Sequence, residues 1–281
     1  PEQRKKWNFQ TKYRILPRDF TTLRSGKHVI ETEEVIVGSD TLTFEEYIEL
    51  RSLSFNIFVT NIGIIYDSFL KFLRQNNIEV FDLFFQMVKQ IDSAPPIIQK
   101  TFESFKNDTV EELWDSPEDI QAHYQEKQEY EKLLSGEAAR NVMQYHNALV
   151  RYSCMDEWTQ FAGNIAFGLL KKKKTISYEI EHQLKNIINF CTGSGHNTLG
   201  DDRQQTNPEF LFDYDIENWI KDTNNKTLND FKLDKKRSIS FQFTEDESKI
   251  IQDELDRKNT PSGRSQALKR LHGQIQWRHP N

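Results

Sequence analysis

Only two cysteines, Cys154 and Cys191, occur in 281 residues. That is too few for the disulfide framework of a secreted domain, and it points to a reducing, cytoplasmic setting. An iron–sulfur cluster or a cysteine-rich zinc site needs three or four thiolates, so neither can be built from this chain. No stretch of ~18 apolar residues is present, which leaves no candidate membrane span. There is no basic excess either: 37 Lys and Arg stand against 43 Asp and Glu, a formal net charge of -6. A general nucleic-acid binder usually shows the opposite balance. Three catalytic signatures are also missing, namely a nucleophile elbow, a dinucleotide fingerprint and a complete phosphate-binding loop. No catalytic residue can be named. Pro1, without a leading Met and with no signal segment behind it, reads as the start of a fragment.

What is present is apolar mass with helical spacing. The 20 Phe, 9 Tyr and 5 Trp supply ample material for a core. Apolar residues are dense from Phe44 to Gln75, where Gly63 marks a kink or the joint between two helices. Helical spacing resumes from Glu79 to Ile91 and from Ile97 to Leu113, the latter with a break near Asn107–Asp108. Ser116-Pro117-Glu118-Asp119 is a start signal, with a capping serine, proline at the first helical position and acids in the first turn. Glu137 to Leu170 reads as one long helix or two, closed by Lys171 to Lys174, and Ser177 to Phe190 as one more.

The β component lies at the ends. Lys12 to Leu16 is strand-like and stops at Pro17. His28 to Val37 follows the Ser25-Gly26 turn, and Thr43-Phe44-Glu45-Glu46 then opens a helix as a capping box. Near the C-terminus, Phe210 to Asp222 reads as a short aromatic helix and Ile239 to Phe243 as a strand. A second capping box, Thr244 to Glu247, starts a helix to Arg257, and Ser262 to Leu271 reads as a basic helix. The expected fold class is therefore mainly α, a helical bundle with a β-hairpin near the N-terminus and a short strand near the C-terminus. The expected divisions are a hairpin segment over 1–42, a helical domain over 43–191, a polar glycine-rich linker over 192–208, and a small α+β segment over 209–281 packed on the helical domain.

The wording of Thr11 to Arg51, TKYRILPRDFTTLRSGKHVIETEEVIVGSDTLTFEEYIELR, resembles the region that follows the catalytic barrel in cobalamin-binding-type radical SAM proteins. Those proteins show a KYRVLPRDF-like strand, an E-x-EEVVV-like strand, then T-x-x-M/L-S/T-F-E-D/E. FLFDYDIENW (Phe210 to Trp219), FQFTEDE (Phe241 to Glu247) and QALKRLHGQIQWRH near the end are similar to that family's closing elements. The resemblance implies an upstream cobalamin-binding domain and an upstream radical SAM barrel of the same polypeptide, whose C-x-x-x-C-x-x-C loop ligates an iron–sulfur cluster. The cluster, S-adenosylmethionine and cobalamin are implied for that parent protein and none for this chain, which departs from the motif completely. The implied role is a C-terminal accessory region, packed on the barrel and helping to shape or close the substrate site. The alternative is a stand-alone helical interaction module without enzymatic activity. A third reading, an RNA-modifying accessory domain, would use the basic end with Arg264, Lys269, Arg270 and Arg278.

Four residues are candidates for substrate contact: Arg14, Arg18, Glu31 and Glu33. A planar guanidinium at Arg14 or Arg18 suits a carboxylate or phosphate. Glu31 and Glu33 share one strand face, where two acids raise each other's pKa. The competing reading pairs the arginines with the glutamates internally. Other patterns have plainer explanations. Gly193-Ser194-Gly195-His196 lacks the lysine and threonine of a phosphate-binding loop. His196 with Asp201 and Asp202 is a single histidine beside two acids, short of a metal site. Tyr145-His146 lacks a second ligand at helical spacing. Trp158, Trp219 and Trp277 read as packing anchors.

Overall fold

The computed structural model describes residues 2–61, 64–173, 176–196, 207–257, 270–271 and 277–281. In chain order its elements are α1 (Glu2–Lys6), β1 (Gln10–Thr22), β2 (His28–Gly38), α2 (Phe44–Asn61), α3 (Asp67–Gln75), α4 (Val80–Lys89), α5 (Pro96–Glu111), α6 (Pro117–His123), α7 (Lys127–Ser135), α8 (Val142–Ser153), α9 (Met155–Lys172), α10 (Tyr178–Gly195), β3 (Glu209–Tyr214), α11 (Ile216–Lys221), β4 (Lys232–Gln242), α12 (Glu245–Arg257) and β5 (His279–Pro280). The fold is mainly α, with a two-stranded hairpin near the N-terminus and a small sheet near the C-terminus. Among the described residues no helix is long and apolar enough to cross a membrane.

The chain groups into two compact units, each discontinuous in sequence. One comprises residues 1–54 and 102–146, the other 55–101 and 147–281. The segment expected as one helical domain over 43–191 is thus shared between them.

In the first unit β1 and β2 run antiparallel, with Tyr13 opposite Glu34, Arg14 opposite Glu33 and Ile15 opposite Thr32. The register shifts between Ile15 and Phe20. Pro17 lies in that irregularity, where no ladder hydrogen bond is asked of it, and Arg18 takes a positive φ of 75°. The strand therefore continues through Pro17 rather than ending there. Ile15 and Ile30 on one face of the hairpin pack against Ile120, Tyr124, Tyr130 and Leu133 from the α6–α7 region. On its outer edge β1 exchanges two backbone hydrogen bonds with Trp114: Tyr13 N donates to Trp114 O at 2.9 Å, and Trp114 N to Tyr13 O at 2.7 Å. α6 begins as expected, with the Ser116 hydroxyl accepting from the Asp119 amide.

The second unit is built on α3, α4, α9 and α10. Trp158, Phe161, Ala162, Ile165 and Ala166, spaced three and four apart on α9, are all buried, as are Phe69 and Phe72 on α3 and Leu83 and Met87 on α4. Phe55 meets Trp158 edge to face, ring centroids 5.8 Å apart. Cys154, with φ −154°, separates α8 from α9, so the long apolar stretch is two helices. The run expected from Phe44 to Gln75 is likewise two helices, α2 and α3, and Gly63 lies outside the described residues.

Two expectations near the C-terminus change. Phe210 to Asp222 is not one helix: Glu209–Tyr214 is a strand paired with β4, and only Ile216–Lys221 is helical. Phe212 and Tyr214 alternate inward with a period of two, and the aromatic composition gives no helical stripe to compete with it. Thr192 to Gly195, polar and glycine-rich, are the buried last turn of α10 rather than linker. The reason is contact with the sheet. A Cβ at Gly193 would come within 2.4 Å of the Phe241 ring, so only glycine lets the helix sit there. Phe241 is itself held edge to face by Phe190 at 5.4 Å and Phe212 at 6.1 Å. The remainder of the expected linker (197–206) and most of the expected basic helix (262–269) lie outside the described residues.

Candidate functional site

The first unit carries a half-open cavity of about 210 Å³. Its walls come from β1 (Arg14, Ile15), the last turn of α5 with the residues just after it (Asp108, Glu111, Glu112, Trp114), and the segment leading into α8 (Glu137, Arg140). Tyr124 adds a second aromatic ring beside Trp114, with centroids 6.1 Å apart.

Its charged groups form two networks. Arg14 Nε donates to Glu33 across the hairpin at 2.5 Å, and Arg14 Nη1 to Glu112 at 3.2 Å. Glu112 also accepts from Arg51 at 3.5 Å. Burial lowers the Arg14 pKa, but the fields of Glu112 and Glu33 outweigh it and the guanidinium is held above its ordinary range. For Glu112 the balance goes the other way: burial pushes the carboxyl up further than Arg14 and Arg51 pull it down. In the second network Asp108 accepts from Arg140 at 2.6 Å and bonds the fully buried His146 ring at 2.9 Å. Burial raises the Asp108 pKa, yet the bonds from His146 and Arg140 prevail and hold it low. The Arg140 guanidinium also lies over the Tyr145 ring at 3.9 Å.

Of the four residues singled out in the sequence, only Arg14 reaches this cavity. Glu33 is brought to it as an ion-pair partner. Arg18 stands exposed at the strand irregularity, and Glu31 is exposed on β2 with no ion pair among the described residues. The internal pairing of arginine with glutamate is therefore realised for Arg14 and Glu33. Sequence reasoning missed Asp108, Glu111, Glu112, Trp114 and Arg140. They lie about a hundred residues from the hairpin, and no local spacing announces that they converge on it.

The remaining candidates lie in the second unit. His196 Nδ1 bonds Asp156 at 2.7 Å, while Asp201 and Asp202 lie outside the described residues. Trp158 and Trp219 are fully buried. Cys154 and Cys191 are free and buried, and burial pushes the Cys191 thiol up to about 12. Two inert thiols do not fit an iron–sulfur cluster, which takes its ligands as thiolates. Among the described residues no group of three or more His, Cys, Asp or Glu is placed to hold a metal ion. No protein-family model matches the chain, and no curated protein matches it.

Proposed function

We propose that this chain is an accessory region of a cobalamin-binding-type radical SAM enzyme, packing on the catalytic barrel of its own polypeptide and shaping the substrate site without chemistry of its own. The observation that carries this reading is the segment Thr11 to Arg51. Its wording resembles the stretch after the barrel in that family, and it folds as one hairpin leading into α2 through the Thr43–Glu46 capping box. The arrangement of charge supports the same reading. Arg14, the one candidate substrate contact at the cavity, is engaged by two carboxylates, as a scaffold position would be. The parent's cluster, S-adenosylmethionine and cobalamin would be held upstream of this chain.

The test is the coding sequence immediately ahead of Pro1. The proposal requires an in-frame C-x-x-x-C-x-x-C motif there, and a start codon beside Pro1 with no such motif overturns it. The second reading, a stand-alone helical interaction module, is favoured by Phe81 and Phe85, which are exposed on α4 and stacked 6.2 Å apart. That start codon is what the second reading requires.

A further inference from the structure

We propose that the cavity of the first unit binds a small organic ammonium ion. The inference comes from an inventory of its charges and goes beyond the accessory role. Two cations line the cavity, and both are committed: Arg14 to Glu33 and Glu112, Arg140 to Asp108. An anionic ligand would have to displace these internal carboxylates. Four acids line it, and only Asp108 and Glu112 are matched. Glu111 and Glu137 have no ion pair among the described residues. Lys132 feels the charge of Glu137 but bonds Glu129 at 2.7 Å.

The cavity therefore offers uncompensated negative charge together with the rings of Trp114 and Tyr124, the pairing that draws a cation onto an aromatic face. A bare metal ion would leave the rings unused, and a neutral apolar guest would leave the carboxylates unused. An ammonium with an organic body uses both. Arg140 stacked on Tyr145 already shows a cation on an aromatic face beside this cavity.

The experiment is a titration of the 281-residue chain with choline, followed through the indole N–H resonance of Trp114, which is assigned by its loss in Trp114→Phe. The neutral isostere 3,3-dimethylbutan-1-ol and the anion acetate are titrated in parallel. The proposal expects a saturable shift with choline only, weakened at least about threefold in Glu111→Gln/Glu137→Gln and weakened by added salt. Both glutamates are exposed, so that variant keeps its fold, and an unchanged far-ultraviolet circular dichroism spectrum checks this. Nα-acetyl-lysinamide as a further probe tells a lysine side chain from a free ammonium, the tighter of the two naming the source. No saturable shift with either cation, equal binding of the neutral isostere, saturable acetate binding, or affinity unchanged in the double variant each overturns the proposal.

Discussion

Replacing Gly193 by alanine reverses the usual sign of that substitution. In an unencumbered helix, glycine to alanine stabilises by about 0.5–1 kcal/mol, because the unfolded chain loses freedom that the folded one never had. At Gly193 the new methyl would sit 2.4, 2.5 and 2.7 Å from three carbons of the Phe241 ring. That ring cannot swing aside, since Phe190, Phe212 and Phe210 surround it with centroids 5.4 to 6.3 Å away. Overpacking of a rigid core costs about 1–3 kcal/mol, and contacts this short place the site at the upper end. The net expectation is a loss of about 2 kcal/mol, seen as a melting temperature about 4–8 °C lower. Gly168 on α9 is the internal control: its added Cβ meets nothing within 4 Å, so Gly168→Ala should gain about 0.5–1 kcal/mol. Thermal and urea denaturation of both variants measure the contrast, and Phe241→Leu combined with Gly193→Ala should recover part of the loss. A Gly193→Ala protein as stable as the parent would refute the packing of α10 on the C-terminal sheet.

Other perturbations separate the remaining contacts. Phe55→Ala removes a fully buried ring against Trp158 and should cost about 3–5 kcal/mol, whereas Phe58→Ala, at a half-buried position, should cost clearly less in the same urea titration. The Asp108 carboxyl is held below its ordinary value of 3.8, so it stabilises the fold above that pH and the contribution disappears as pH falls through the folded value. Asp108→Asn should therefore be about 1–3 kcal/mol less stable at neutral pH and should lose less than the parent on acidification below pH ~4, which melting curves across pH would show. Thr43→Ala removes the hydroxyl that accepts from the Glu46 amide at 3.2 Å and should cost about 1 kcal/mol.

Features that depend on neighbours in sequence were legible before the fold was known. Both capping boxes form as their spacing implies: the Glu46 and Glu247 side chains each accept from the amide three residues back, at 2.8 Å. Ser116 caps α6 for the same local reason. What escaped the sequence depends on partners far along the chain. Pro17 stays within a strand because the irregularity beside it removes the need for its missing N–H. Thr192 to Gly195 stay helical because Phe241 supplies a surface that accepts only a bare backbone. The cavity escaped for the same reason, since Asp108, Glu112 and Arg140 acquire meaning only when β1 is laid beside them. Of the hairpin candidates, the sequence offered only a general pairing of the arginines with the glutamates; the register of β1 and β2, which sets Arg14 opposite Glu33, selects that pair, while Arg18 sits at the strand irregularity with a positive φ.

Whether this chain has reactivity of its own is decided most directly by anaerobic reconstitution of the purified 281 residues with iron and sulfide, followed by addition of S-adenosylmethionine. An accessory region should retain no stoichiometric iron, develop no charge-transfer absorbance and leave S-adenosylmethionine intact. Stoichiometric iron with visible absorbance that is lost in Cys154→Ala or Cys191→Ala, or cleavage of S-adenosylmethionine by the chain alone, would contradict the account.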